Sequence, residues 1–194
     1  MSLKTYSVPP HLYDELITAS GRARPGYAEL TKFLRKSGIK DLQKRQQAAE
    51  LAISTMGITF TVYSQGENID RDWPFDIIPR TIMNSEWQTI PKGLTQRLQA
   101  LNHFITDVYN DRKIVKDKLV PADLLNSSKD FRKECVGMTP TYGVWAHICG
   151  TDLIRDADGT MYVLEDNLRV PSGVSYMLEN RNISKRVLPE LQHV

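Results

Sequence analysis

The 194 residues carry 25 Lys and Arg against 23 Asp and Glu, a formal charge of +2, with 41% hydrophobic and 25% charged residues. That balance suits a water-soluble globular chain and leaves no basic stripe for nucleic acid. No stretch reaches the roughly 20 apolar residues of a membrane span and the first ten residues hold no apolar signal core, so a cytoplasmic protein without membrane contact is expected. Cys135 and Cys149 lack CxxC spacing and form no ligand pattern with His11, His103, His147 and His193, which points to reduced thiols and no zinc site.

In chain order, His11–Ser20 reads as a short helix ended near Gly21. Tyr27, Leu30, Phe33 and Leu34 are helically spaced, with Gly38 placed for a C-cap. Asp41 opens a third helix to about Thr55, striped by Ala48, Leu51, Ala52 and Ile53. The period then changes: Ile58, Phe60 and Val62 alternate with Thr59, Thr61 and Tyr63, the signature of a half-buried strand. Gln65–Asp72 reads as a polar loop, and Trp73–Arg80, with a proline near each end, as an edge strand or extended segment. Ser85 is placed to cap the longest helix, which Pro91 kinks or splits early. Its stripe of Leu94, Leu98, Leu101, Ile105 and Val108 predicts a core helix backing a sheet. Val120–Leu125 starts a short helix with Pro121 in its first turn.

Two apolar runs, Val144–Arg155 and Thr160–Asn167, flank Asp156-Ala157-Asp158-Gly159 and predict an antiparallel hairpin, because glycine accepts the positive φ of such turns. If Arg155 lies opposite Thr160, Asp152 falls opposite Val163, and Asp152, Glu165 and Asn167 share one face while Asp166 points to the other. Two carboxylates and an amide form an oxygen set suited to Mg²⁺, which keeps coordination positions for phosphate. A solvated edge hairpin whose acids merely face water is the competing reading. Beyond the hairpin, Arg169-Val170-Pro171-Ser172-Gly173 turns into a final helix, roughly Val174–Glu179. The amides of Ser172 and Gly173 stand where a helix start favours an anion.

Asp152, then Glu165-x-Asn167, then Pro171-Ser172-Gly173, resembles the metal-binding signature of ATP-grasp ligases. The phrase YVLEDNLRVPSGVSYMLENR, with GITFTVYSQ, RDWPFDIIPRTI and GLTQRLQALNHFITDVYNDRKIV upstream, is similar to the circularly permuted ATP-grasp proteins of the glutathionylspermidine synthase type. The resemblance implies Asp152, Glu165 and Asn167 as ligands of Mg²⁺ ions bridging the phosphates of ATP. Arg169 and Arg155 lie near this signature in sequence and are expected from that proximity to neutralise phosphate charge, Arg169 as the catalytic cation, with Ser172 and Gly173 at the helix start near phosphate. It implies an α/β fold (α+β) in which N-terminal helices join a mainly antiparallel sheet. The 194 residues are expected to form a single incomplete domain, with a helical segment over 1–57 and the sheet and long helix over 58–194. The implied activity is ATP-dependent joining of a small-molecule or peptide carboxylate to an amine through an acylphosphate. Glutathionylspermidine synthase has an arginine two residues before its metal-binding aspartate, where this chain has Gly150. Family members run to about twice this length and hold ATP with lysines downstream of the metal strand. The chain is therefore expected to be an N-terminal fragment, inactive alone, that awaits a C-terminal portion or self-associates. A non-catalytic ATP-grasp-like binding module and a phosphotransferase on the same strands stay open.

Overall fold

The computed structural model describes residues 6–64 and 67–193. Helix α1 spans Ala28–Met56 and merges the second and third expected helices. Gly38 leaves helical dihedrals, at φ 72° and ψ 164°, and separates two helical stretches across a kink, in keeping with its expected place at the end of the second helix. The actual end is at Gly57, whose left-handed φ of 65° lets Ile58 N–H donate back to the Ile53 carbonyl at 3.1 Å. Segment His11–Ser20, expected as a helix, is a series of turns closed by a bridge between Ile17 and Ala23. The reason is local: Asp14 Oδ1 accepts the N–H groups of Leu16 and Ile17, each at 2.8 Å, which removes those donors from any helical ladder.

Strand β1, Thr59–Ser64, pairs antiparallel with β2, Glu67–Asp72, from Thr59 opposite Asp72 to Ser64 opposite Glu67. Most of the polar stretch expected as a loop is thus a strand, its ladder formed by the backbone whatever the side chains; Gln65 and Gly66 lie outside the described residues. Residues 73–80, expected as an edge strand or extended segment, belong to no sheet and bend at Ile77 and Ile78, where Asp76 Oδ1 accepts the Ile78 N–H at 2.9 Å.

Pro91 splits the next helical region as expected: α2 covers Asn84–Trp87, and α3, Ile90–Tyr109, carries Pro91 in its first turn, where a missing N–H costs nothing. Two short helices follow, α4 at Lys113–Lys116 and α5 at Ala122–Asn126. The hairpin strands are β3, Gly150–Arg155, and β4, Met161–Asn167. The last helix, α6, runs Gly173–Val187, more than twice the expected length. Helices with small antiparallel sheets make this an α+β fold, as expected.

The chain divides into two compact units. The first combines the chain through Met83, Asp152–Glu165 and the chain from Ser172 onward. Its core is Ala49, Ile53, Ile77, Ile183, Val187 and Leu188, with Trp73 and Phe75 against it. Trp73 stacks on Tyr176 at 3.9 Å and donates its indole N–H to Asn180 at 2.8 Å. The second unit is Asn84–Thr151 with Asp166–Pro171. There the stripe of α3 is less exposed than its flanks and Val108 is buried. Tyr109 stacks on both Phe131 and Trp145, and Asn102 Oδ1 accepts the Trp145 and Ala146 N–H groups.

Candidate functional site

The hairpin turn sets the register of the strands that carry the expected ligands. Asp156 N–H donates to the Thr160 carbonyl, and Gly159 N–H to the Asp156 carbonyl, each at 2.9 Å. Gly159 has φ 87°. This is a three-residue loop with glycine in the left-handed position, so Asp156, not Arg155, faces Thr160. The expected register is therefore off by one residue near the turn, and Asp152 falls opposite Leu164 instead of Val163. The exposure pattern agrees: Asp152, Ile154, Tyr162 and Leu164 are exposed, whereas Leu153, Arg155, Met161 and Val163 are part covered.

Toward the end of β4, Leu164 and Glu165 are exposed in succession. From that point Glu165 and Asn167 are exposed and Asp166 turns inward. Asp152 and Glu165, both exposed carboxylates, belong to the first unit.

In the second unit Asp166 is only 8% exposed and is held from two sides. Arg97 Nε donates to its Oδ2 at 2.5 Å, and the Thr151 hydroxyl donates to its Oδ1 at 3.0 Å. Gly150 is closely covered: a Cβ there would stand 2.9 Å from Pro171 Cβ and 3.8 Å from Asn167 Cβ. The position occupied by arginine in glutathionylspermidine synthase thus has no room for a side chain unless Pro171 moves. Val170 takes φ 46°, a costly conformation for a β-branched residue, within the turn that presents the exposed Arg169.

Ser172 and Gly173 begin α6 in the first unit, both exposed. The Ser172 side chain makes no capping bond, and no acidic residue occupies the first turn. Those first amides stand at a helix start, whose polarity favours an anion.

Arg155 has a different setting from the other expected phosphate contacts. Its side chain is 6% exposed; Nε donates to Glu15 Oε1 at 2.6 Å and Nη1 to the Gly159 carbonyl at 2.8 Å. Glu15 also accepts both Nε and Nη2 of Arg80 at 2.8 Å. Arg80 and then Arg155 hold the Glu15 carboxyl down to about 2, against the desolvation that pushes the other way. Tyr13, Glu15, Tyr27, Ile78, Arg80 and Arg155 line a cavity of about 330 Å³ in this unit. The buried hydroxyl of Thr81, on the same wall, has no hydrogen-bond partner. Sequence reasoning missed Glu15 because its segment was read as a helix, and no periodic signal pairs it with residues 65 and 140 positions away.

His147 is exposed and precedes β3, and both cysteines are free thiols. Among the described residues no three His, Cys, Asp or Glu side chains gather into a metal site, and no helix is long and apolar enough to cross a membrane. The expected trio differs from such a group in having an amide as its third donor. Its two carboxylates, Asp152 and Glu165, are exposed in the first unit and have the oxygen chemistry that a hard divalent cation takes.

An uncharacterized protein of Synechocystis is 46% identical over 191 residues, a match covering 98% of this chain and 40% of its own length. One of Mycobacterium tuberculosis is 41% identical over 179 residues, covering 92% of this chain and 32% of its own. A Frankia casuarinae protein named "Putative glutamate--cysteine ligase 2-2" is 38% identical over 182 residues, covering 94% of this chain and 21% of its own. The chain thus spans two fifths or less of the length of these relatives. No solved structure matches it. Residues 79–194, which include both hairpin strands and the start of α6, match the circularly permuted ATP-grasp type 2 description, and the chain belongs to that family.

Proposed function

We propose that these residues form the metal- and phosphate-binding part of an ATP-dependent carboxylate–amine ligase. The observation that carries the reading is the exposure of Asp152, Glu165 and Asn167 on the hairpin of a chain that belongs to the ATP-grasp family. In this reading the three side chains hold Mg²⁺, which when bound supplies charge neutralisation along the phosphates of ATP. Arg169 neutralises the transferring phosphoryl group, and the amides of Ser172 and Gly173 bind phosphate oxygens. Arg155 acts from its Glu15 pair, which keeps its guanidinium beside the hairpin turn.

The reaction is an acyl transfer. A substrate carboxylate oxygen attacks the γ-phosphorus and ADP leaves. An amine then attacks the acyl carbon, inorganic phosphate leaves and the amine gives up a proton. The protein's part is positioning and electrostatic stabilisation. The name of the Frankia relative favours an amino acid carboxylate and amine, and the likeness to glutathionylspermidine synthase a peptide carboxylate. Gly150, closed over by Pro171, argues against that synthetase's own peptide contact. In the longer relatives the matching residues are followed or preceded by further polypeptide, and the ligase reading applies to these residues as one part of such a protein.

Calorimetry of the chain with Mg·ATP tests this. Heat lost in Asp152→Asn supports the site; no heat at millimolar nucleotide favours the second reading, a non-catalytic module. In a longer form, phosphate release that needs both a carboxylate and an amine marks the ligase, whereas ADP release without an amine marks a phosphotransferase.

A further inference from the structure

The N-terminal turn segment grips the loop that joins the two ligand-bearing strands. Tyr13 lies against Gly159, where a Cβ would stand 2.6 Å from the ring edge. Two guanidinium groups lie over the same ring, Arg24 at 3.9 Å and Arg155 at 5.5 Å. Two residues on, Glu15 holds Arg155, and Arg155 in turn donates to the Gly159 carbonyl. Both gripping residues are themselves fixed. Asp14 between them accepts two backbone N–H groups, and Arg24 Nε donates to the Asp14 carbonyl at 2.7 Å. On the far side Arg80 binds Glu15 through two donors, so the carboxylate cannot swing away. Glu15 is 16% and Arg155 6% exposed, which excludes most competing water.

The loop so held is the hinge of β3 and β4. Arg155 ends β3 three residues after Asp152, and Gly159 sits at the loop's left-handed position. A rotation of this loop would carry the Asp152 carboxylate with it, because among the described residues no third strand fixes the direction of this two-stranded hairpin.

We propose that Glu15 and Tyr13 are positioning residues for the metal-binding hairpin: they clamp Arg155 and Gly159 and thereby fix where Asp152 stands. The proposal rests on Asp152 being a metal ligand in the sense given above. It goes further by assigning a role in that site to a segment outside the family's matched residues 79–194. Partners that orient metal ligands without touching the ion change metal affinity by 10–100-fold when removed.

The test compares wild type, Glu15→Gln and Tyr13→Leu in the 194-residue chain by two readouts. One is hydrogen exchange at the Asp156 and Gly159 amides, referenced to the Ile53 amide in the core. The other is Mn²⁺ binding in the presence of ATP, followed by electron paramagnetic resonance. Glu190→Gln, which removes an acid paired with Arg45 in the same unit, is the control and leaves both unchanged. Both clamp variants are expected to exchange the two turn amides about tenfold faster and to bind Mn²⁺ about tenfold more weakly. Unchanged turn exchange overturns the clamp, and faster exchange with unchanged Mn²⁺ affinity overturns its positioning role. If wild type binds no Mn²⁺ the metal reading itself fails; exchange alone then upholds or overturns the clamp. If Glu15→Gln does not fold, Tyr13→Leu, which leaves every ion pair in place, decides by the same outcomes.

Discussion

Arg45 closes the C-terminal end of α6 by donating Nη1 to the Val187 carbonyl at 2.7 Å. The same guanidinium binds Asp41 at 2.8 Å and Glu190 at 2.8 Å, so one side chain ties α1 to the residues that follow α6. A helix leaves its last carbonyls without partners, and this one is beside buried Leu188, where water is scarce. Arg45→Ala should destabilise the protein by about 1–2 kcal/mol, and Arg45→Lys should recover little because one ammonium cannot reach three acceptors in a fixed fork. Urea unfolding with an unchanged slope and an unshifted midpoint would refute this.

Ile53 and Ile183 are 1% and 0% exposed and face each other's helices in the first core. Ile183→Ala should cost about 3–4 kcal/mol and Ile183→Val about 1, the difference being the volume left unfilled. Equal midpoints for the two variants would show that the site collapses around the loss.

Two glycines of left-handed φ separate backbone strain from contact. Gly21, at φ 76°, has open space where a Cβ would go, while at Gly159 that atom meets the Tyr13 ring. Gly21→Ala should therefore cost about 1 kcal/mol and Gly159→Ala about 2–3. Thermal unfolding measures both, and an equal loss would mean that the ring yields freely.

The Glu15 carboxyl, lowered to about 2 by Arg80 and Arg155, contributes stability that is complete above the ordinary carboxylate range and lost as pH falls through about 2. Linkage sets an upper limit of about 3 kcal/mol, and the 71% exposure of Arg80 reduces this to about 1–2. The stability gap between wild type and Glu15→Gln should accordingly be constant near neutrality and narrow between pH 4.5 and 2. A gap that persists at pH 2 would show that Glu15 acts through something other than its charge.

Asp166 accepts from Arg97 and Thr151 and is nearly covered. Asp166→Ala should lower stability by about 1–3 kcal/mol by leaving the Thr151 hydroxyl unpaired, and Thr151→Val in addition should restore part of it. Strictly additive losses in the double variant would contradict the pairing.

The elements with strong local signals were legible in the sequence. The apolar stripe of α3, the splitting effect of Pro91 and the Asp-Gly turn of the hairpin each depend on neighbours within a few residues. The antiparallel partner of β1 was not legible, because Glu67–Asp72 owes its strand to backbone pairing and not to apolar alternation. The hairpin register was missed by one residue, since the choice between two- and three-residue loops lies in the φ of Gly159, which composition does not state. The clamp of Tyr13 and Glu15 was illegible for a plainer reason: its partners are separated by up to 146 positions. The ligand candidates themselves could be named from residue type and spacing, whereas the successive exposure of Leu164 and Glu165 could not.

Gly38 gives α1 a joint in the middle of what would otherwise be one rigid rod. Leu30, Thr31 and Leu34 before it, and Ala49 and Ile53 after it, need not obey a common phase around a single axis. A one-residue insertion within an unbroken helix turns everything downstream by about 100° and would drive a buried stripe into solvent. Beside Gly38 the same insertion can be absorbed by the joint, so length variation in this helix should be tolerated there and nowhere else along it.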